Sequence, residues 1–194
     1  MIPAVRLAAA AALLTAACAT TIRPASPETT EPRDFYPLET GNAWSYDIDT
    51  GESSTTLAVS RVESFDGRLA EVRTGEALIR YEVLPEGIRV PPGEEWVLRM
   101  PFQEGATWPG RGGRTARLVS MGLHVETRAG AFEDCLLVSE TGGKLDFEVR
   151  TVYCPRVGPV SVESTMRSSS SNRELTVSAK LRGYEVSPTS SSRP

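Results

Sequence analysis

One histidine, His124, is all the imidazole in this chain, so a Ser-His-Asp or Cys-His mechanism would have to run through that residue. It lies in Leu123-His124-Val125-Glu126-Thr127-Arg128, where strand alternation sets it on one face with Glu126 and Arg128, the pattern of a solvated strand residue. No Gly-x-Ser-x-Gly elbow, His-Glu-x-x-His pair or Cys-x-x-Cys pair occurs. A zinc site is short of ligands too, since one His and two well-separated Cys do not complete a tetrahedral set without carboxylates. Carboxylate neighbours such as Glu94-Glu95 and Glu133-Asp134 point to opposite faces of a strand, which suits them poorly to share acid and base work. The expectation is a protein that is not an enzyme, with no catalytic residues, no metal and no cofactor.

Positive charge is also scarce. There are 21 Lys and Arg against 25 Asp and Glu. Without basic clusters to displace counterions from phosphates, nucleic acid is excluded as an expected partner. Nor is there an apolar run of the roughly 20 residues that a spanning helix needs. The apolar stretch Leu7–Ala17 is shorter, follows the single charge Arg6, and reads as the core of a signal peptide over residues 1–17. Removing Arg6 with it leaves 20 of the 21 basic residues against 25 acidic ones.

The stretch ends in Leu14-Thr15-Ala16-Ala17-Cys18, which resembles the lipobox of bacterial lipoproteins, where small residues precede the cysteine that is acylated. Thr15 departs from the aliphatic residue preferred three places before that cysteine, and the alternative is ordinary cleavage after Ala19 with Cys18 unmodified. Lipidation of Cys18 implies a membrane partner held through palmitate-type acyl chains, because two or three chains make a stable anchor. Ala19 in the next place, where Gram-negative lipoproteins carry Asp for retention, implies sorting to the outer membrane of the cell envelope. Residues 18–34, rich in Thr, Pro, Ser and Glu, read as a disordered tether, and residues 187–194 as a disordered tail.

Between them, residues 35–186 read as one all-β domain. Short runs of period-two alternation are separated by turn residues, and no window carries a 3.6-residue apolar period. Trp44, Tyr46 and Ile48 alternate with Ser45, Asp47 and Asp49; Asp66-Gly67 and Pro85-Glu86-Gly87 mark turns; Pro101–Arg114 reads as an irregular loop. Sequential strands with short connections predict an antiparallel meander forming a curved sheet, a half-barrel or a small barrel. The faces of Trp44, Ile79, Tyr81, Trp96, Leu98, Phe147 and Val149 are expected to line it, covered by the sheet itself, a partner or a ligand.

Cys135 and Cys154 are the pair left once Cys18 is set apart, and they fall on successive strands. A disulfide between them requires a connecting loop of about four residues, since a two-residue turn at Gly142-Gly143 would set Cys135 opposite Arg150. Pro109-Gly110-Arg111-Gly112-Gly113-Arg114 exposes amides and two guanidinium groups that suit an anion, but it lacks the Lys and Ser or Thr of a phosphate loop and reads as a turn.

Three segments together resemble a widespread, uncharacterised family of bacterial exported proteins, many of them lipoproteins. These are Phe35-Tyr36-Pro37-Leu38 with Gly41-Asn42-Ala43-Trp44-Ser45-Tyr46, then Ala129-Gly130-Ala131-Phe132-Glu133-Asp134-Cys135-Leu136-Leu137-Val138, then Val152-Tyr153-Cys154-Pro155-Arg156-Val157-Gly158-Pro159-Val160. The resemblance covers roughly residues 35 to 165 and implies an all-β exported domain; no activity comes with it. The expected function is a non-enzymatic envelope lipoprotein that binds a protein partner, with a carrier of lipid or another apolar ligand in a sheet groove as the alternative.

Overall fold

The computed structural model describes residues 31–51, 55–143, 147–167 and 174–187. Their strands are β1 (Ala43–Asp49), β2 (Thr56–Phe65), β3 (Leu69–Thr74), β4 (Ala77–Leu84), β5 (Gly87–Val90), β6 (Glu95–Arg99), β7 (Thr107–Pro109), β8 (Arg114–Thr127), β9 (Gly130–Gly142), β10 (Phe147–Cys154), β11 (Gly158–Arg167) and β12 (Glu174–Glu185). They make one antiparallel sheet in the order β6-β5-β4-β3-β2-β1-β12-β11-β10-β9-β8-β7. Two meanders, β1–β6 and β7–β12, are thus joined where the first strand pairs with the last, Ala43 opposite Glu185 and Tyr46 opposite Leu181.

The two edge strands, β6 and β7, follow one another in the chain and come together. Trp108 donates its indole N–H to the carbonyl of Trp96 at 3.2 Å, and the Gly112 amide donates to the Glu95 carboxylate at 3.2 Å. Side chains and a loop amide close the seam in place of a backbone ladder, so the sheet is nearly a barrel and its exposed edge is small.

The interior is filled. Alternate residues Trp44, Tyr46, Val62, Val72, Tyr81, Ile88, Leu118, Leu136, Val138, Tyr153 and Leu181 are buried in one cluster, together with Phe35, Tyr36 and Leu38 from the segment preceding β1. That segment is a plug. Pro32–Phe35 forms one helical turn, α1, and the Tyr36 ring then packs at 5.6 Å from Trp44, 5.5 Å from Tyr81 and 6.1 Å from Tyr153. The Asn42 side chain ties its base, donating to Pro37 O at 2.8 Å and accepting from the Ser187 amide at 2.9 Å. The expected tether over 18–34 therefore gives up residues 31–34, which pack on the domain, and the helix-free expectation gives way to this single turn: a Pro at its first position and a capping box suit a helical start that no period-based reading detects.

Two strand readings also change. Within Pro101–Arg114, Thr107–Pro109 forms β7, with Trp108 opposite Ala116. Trp96 does not share a face with Leu98: the register shifts between Ile88↔Leu98 and Arg89↔Trp96, a bulge that turns Trp96 to the outside. There its ring lies under the guanidinium groups of Arg89 and Arg99, at 5.8 and 5.0 Å, and is 5% exposed. Gly87 makes room for it, since a Cβ at that position would come within 2.7 Å of the Trp96 ring.

The long hairpin β8–β9 is bent. Its pairing slips at three places, Gly122 and Asp134 take positive φ of 66° and 57°, and its tip is the two-residue turn Arg128-Ala129. β9 and β12 are three strands apart, roughly 14 Å along a flat sheet. Phe132 of β9 nevertheless packs edge-on to Tyr184 of β12 at 6.0 Å, and Arg128 reaches Asp47 of β1 at 3.4 Å. Asp47 lies on the face opposite Tyr46, so the distal half of the hairpin folds over the outside of the barrel.

Candidate functional site

Cys18 lies outside the described residues. Cys135 and Cys154 are joined by a disulfide, with Cα atoms 4.2 Å apart. The pairing Thr141↔Glu148 and Leu136↔Tyr153 holds one register along β9 and β10, so four residues separate Gly142 from Phe147, the loop length the bridge requires. By alternation the two cysteines face outward, opposite Leu136 and Tyr153. Both are still fully buried, beneath the folded-back hairpin.

His124 is half exposed on that hairpin. Its Nδ1 lies 2.7 Å from Glu133 and its Nε2 3.4 Å from Glu126, and the hydrogen bonds to these two carboxylates raise its pKa above the ordinary value. No third group completes an acid-base or metal set around it: among the described residues there is no cluster of three or more His, Cys, Asp or Glu able to hold a metal ion. The buried tyrosines offer no proton chemistry near neutrality. Burial raises the pKa of Tyr36, Tyr46 and Tyr153 well above the phenol range; Tyr46 donates to Pro159 O at 2.9 Å.

The arginine loop is where charge concentrates. Residues Arg111–Gly113 form a short 3-10 turn, and Arg111 and Arg114 both grip Glu140: Arg111 Nε to Oε1 at 3.3 Å, Arg114 Nη2 and Nε to Oε2 at 2.7 and 3.0 Å. The Glu140 side chain is 4% exposed. Desolvation alone would lower the Arg111 pKa, and the attraction of Glu140 outweighs it. The anion-suited loop therefore binds carboxylates of its own chain, Glu140 through guanidinium groups and Glu95 through the Gly112 amide. Strand alternation from Leu136 and Val138 places Glu140 inward; its partners lie 26 and 29 residues away, and the β8–β9 pairing of Arg114 with Gly142 and Ala116 with Glu140 brings them together.

Glu140 sits one row inside the end of the barrel at which β8 begins and β9 ends. Across the sheet the inward-facing row is Ala116, Glu140, Val149, Ser164 and Val177. The last row beyond it is Arg114 opposite Gly142, then Phe147 opposite Met166 and Met166 opposite Leu175. Met166 and Leu175 are 37% and 52% exposed, and the Arg114 guanidinium lies 5.5 Å from the Phe147 ring centre. At the other end, where both ends of the described chain lie, a cleft of about 320 Å³ is lined by Glu31, Pro32, Arg33, Gly67, Val83, Leu84 and Pro85. It lies between α1 and two hairpin turns, with polar and apolar walls. Of the expected lining of the curved face, Trp44 and Tyr81 pack in the interior core, Ile79 packs against it and Phe147 stands in the last described row, while Trp96 is outside.

No family model matches the chain, and no curated protein matches it. Two solved structures resemble it in fold. One is a protein from Bacteroides fragilis described as exported with a YmcC-like fold, at TM-score 0.47 and 12% identity, covering 76% of this chain and 96% of its own. The other, from Parabacteroides distasonis, is described as a lipoprotein, at TM-score 0.41 and 13% identity, covering 80% of this chain and 99% of its own. A likeness of this degree carries no function, partner or address to this chain.

Proposed function

We propose that this chain is a non-enzymatic lipoprotein of the bacterial cell envelope, anchored through acylated Cys18 at the outer membrane, whose domain binds a protein partner. The observation that supports it is the filled interior: the plug residue Tyr36, three further tyrosines and Trp44 occupy the space that an apolar carrier would keep for its ligand. The charged groups inside are committed to the Arg111–Glu140–Arg114 pairing, which leaves the outer surface as the place where binding occurs. The anchor reading rests on the short apolar leader and the small residues before Cys18.

Native mass spectrometry of the protein released from its own membrane tests both parts. The expected result is a chain that begins at Cys18 with acyl mass added and holds no co-purified lipid in the barrel. A mature chain beginning after Ala19 would overturn the anchor, and a stoichiometric bound lipid would overturn the filled-barrel reading in favour of the carrier. Cys18→Ser is expected to move the protein into the soluble fraction.

A further inference from the structure

We propose that the distal part of the long hairpin, Leu123–Asp134, is a hinged cover over the Cys135–Cys154 disulfide. With the cover down the bond is closed to thiols; with the cover lifted it becomes a site of thiol–disulfide exchange. The inference goes beyond the binding role of the domain and does not depend on it.

The covering follows from a conflict between alternation and burial. Cys135 and Cys154 stand on the outward face of β9 and β10, where a solvated side chain is expected, yet both are 0% exposed. The core closes their inward side, so a thiol has to come from the outward one, where the returned hairpin lies. Leu123 is the register partner of Cys135 and shares its face. Leu123 and Val125 pack against the core cluster, and Phe132 belongs to it.

The hinge shows in the backbone. Gly122 and Asp134 take positive φ at the same level of the two strands, and the pairing slips on either side of Leu123↔Cys135. Regular attachment to the barrel stops there. β10 pairs with β9 from Leu136 to Thr141, and β7 pairs with β8 from Thr115 to Arg117. The last β8 amide bonded outside the hairpin is that of Met121, which donates to the Glu104 carboxylate at 2.9 Å. Past the hinge, among the described residues, no backbone hydrogen bond joins the cover to the wall. Side chains hold it: the buried apolar residues above, Phe132 against the 44% exposed Tyr184, and Arg128 on Asp47 at 3.4 Å. A ribbon held in this way opens at less cost than the sheet beneath it.

When the cover lifts, a thiolate of a dithiol bonds to one of the two sulfurs as the Cys135–Cys154 bond breaks and the other sulfur leaves as a thiolate. The second thiolate of the dithiol then attacks the mixed disulfide and frees the remaining cysteine. Two electrons pass to the cysteines, the dithiol closes into its own disulfide, and its two protons end on Cys135 and Cys154.

Dithiothreitol is the probe, applied to the full chain carrying Cys18→Ser so that, of three cysteines, only this pair yields thiols. Freed thiols are alkylated with iodoacetamide and counted by intact mass. Reduction in buffer is expected to run at least about a hundredfold slower than in urea that unfolds the chain. Phe132→Ala is expected to speed it at least about tenfold. Val72→Ala, which truncates a buried side chain of β3 in the other half of the sheet, is expected to change it by less than about twofold. Both substitutions lower overall stability, but only the first loosens the cover. Equal acceleration by the two would make global unfolding the route and overturn the proposal. A native rate equal to that in urea, or no acceleration by Phe132→Ala, would overturn it as well. If either variant fails to fold, the urea dependence of the parent rate decides: a slope well below that of global unfolding supports lifting, and an equal slope overturns it.

Discussion

The two halves of this barrel keep their outer faces in different ways. Strands β2 to β5 carry ion pairs on their outer face: Glu63 with Arg73, Glu71 with Arg80 at 2.8 Å, and Glu82 with Arg89 and Arg68, each at 2.5 Å. Strands β9 to β12 and β1 instead receive a second layer, the returned tip of β8–β9, with a disulfide beneath it and Arg128 and Arg182 meeting on Asp47. One half is finished by charge against water and the other by packing. Screening limits what exposed pairs contribute, whereas enclosed apolar contacts and a covalent link are insensitive to salt, so the two halves should part company under perturbation.

The largest effect belongs to the layered half. The double substitution Cys135→Ser and Cys154→Ser opens a link spanning 19 residues, and the expected loss is about 3 kcal/mol, or roughly 6 to 12 °C in melting temperature for a domain of this size. Hydrogen exchange should show the β8–β9 tip losing protection before the β2–β5 sheet does. Equal loss in both halves would mean that the hairpin is not a separate layer. Phe132→Ala comes next, at about 2 to 3 kcal/mol, below the range for an enclosed ring because its partner Tyr184 is itself partly exposed.

In the charged half the expected effects are smaller and ordered by burial. Glu82 is nearly buried between two guanidinium groups, and their hydrogen bonds, Arg89 first and then Arg68, hold its carboxyl below the usual range. Glu82→Gln is expected to cost about 1 to 2 kcal/mol, with solvent on one side discounting the pairs. The depressed pKa makes that contribution full above the unfolded carboxyl value and lost as pH falls through the folded one, so the substitution should matter at pH 7 and fade in acid melts. Arg73→Ala, whose partner Glu63 is in open solvent, should leave the melting temperature within experimental scatter at physiological salt.

The smallest effect has the opposite pH sign. The folded pKa of His124 is raised by Glu133 and Glu126, so its contribution is full below about 6.5, the ordinary histidine value, and disappears as pH rises through the raised one. Thermal melts of His124→Gln should lie below those of the parent at about pH 6, and the gap should close as pH rises through the raised value. A constant gap across that range would mean that the imidazole acts through packing.

Much of this fold can be read in the residues because alternation is local. Trp44, Tyr46 and Ile48 show the inward face of β1, and Asp66 shows its turn, accepting from the amides of Arg68 and Leu69 at 2.9 and 2.7 Å. What alternation cannot express is an offset. A single bulge at Val97 turns Trp96 outward, and Gly122 with Asp134 sends half a hairpin over the wall, each by a change of backbone at one or two positions. The plug is hidden for another reason: Phe35-Tyr36-Pro37-Leu38 has no period at all, and it is ordered by the cavity it fills. The arginines of the glycine-rich loop are conspicuous in the sequence, while their convergence on Glu140 depends on the register of the long β8–β9 hairpin, which alternation alone does not fix.

The pairing of the first strand with the last also sets how the domain answers a pull. Ala43 and Glu185 face each other, and the Ser187 amide is tied to Asn42, so both ends of the described chain leave from the same end of one ladder. Tension applied between those ends strains the β1–β12 hydrogen bonds one after another, as in opening a zip, and yields at low force. Tension between the amino-terminal end and the far rim strains the same bonds together, in shear, and is resisted by all of them at once.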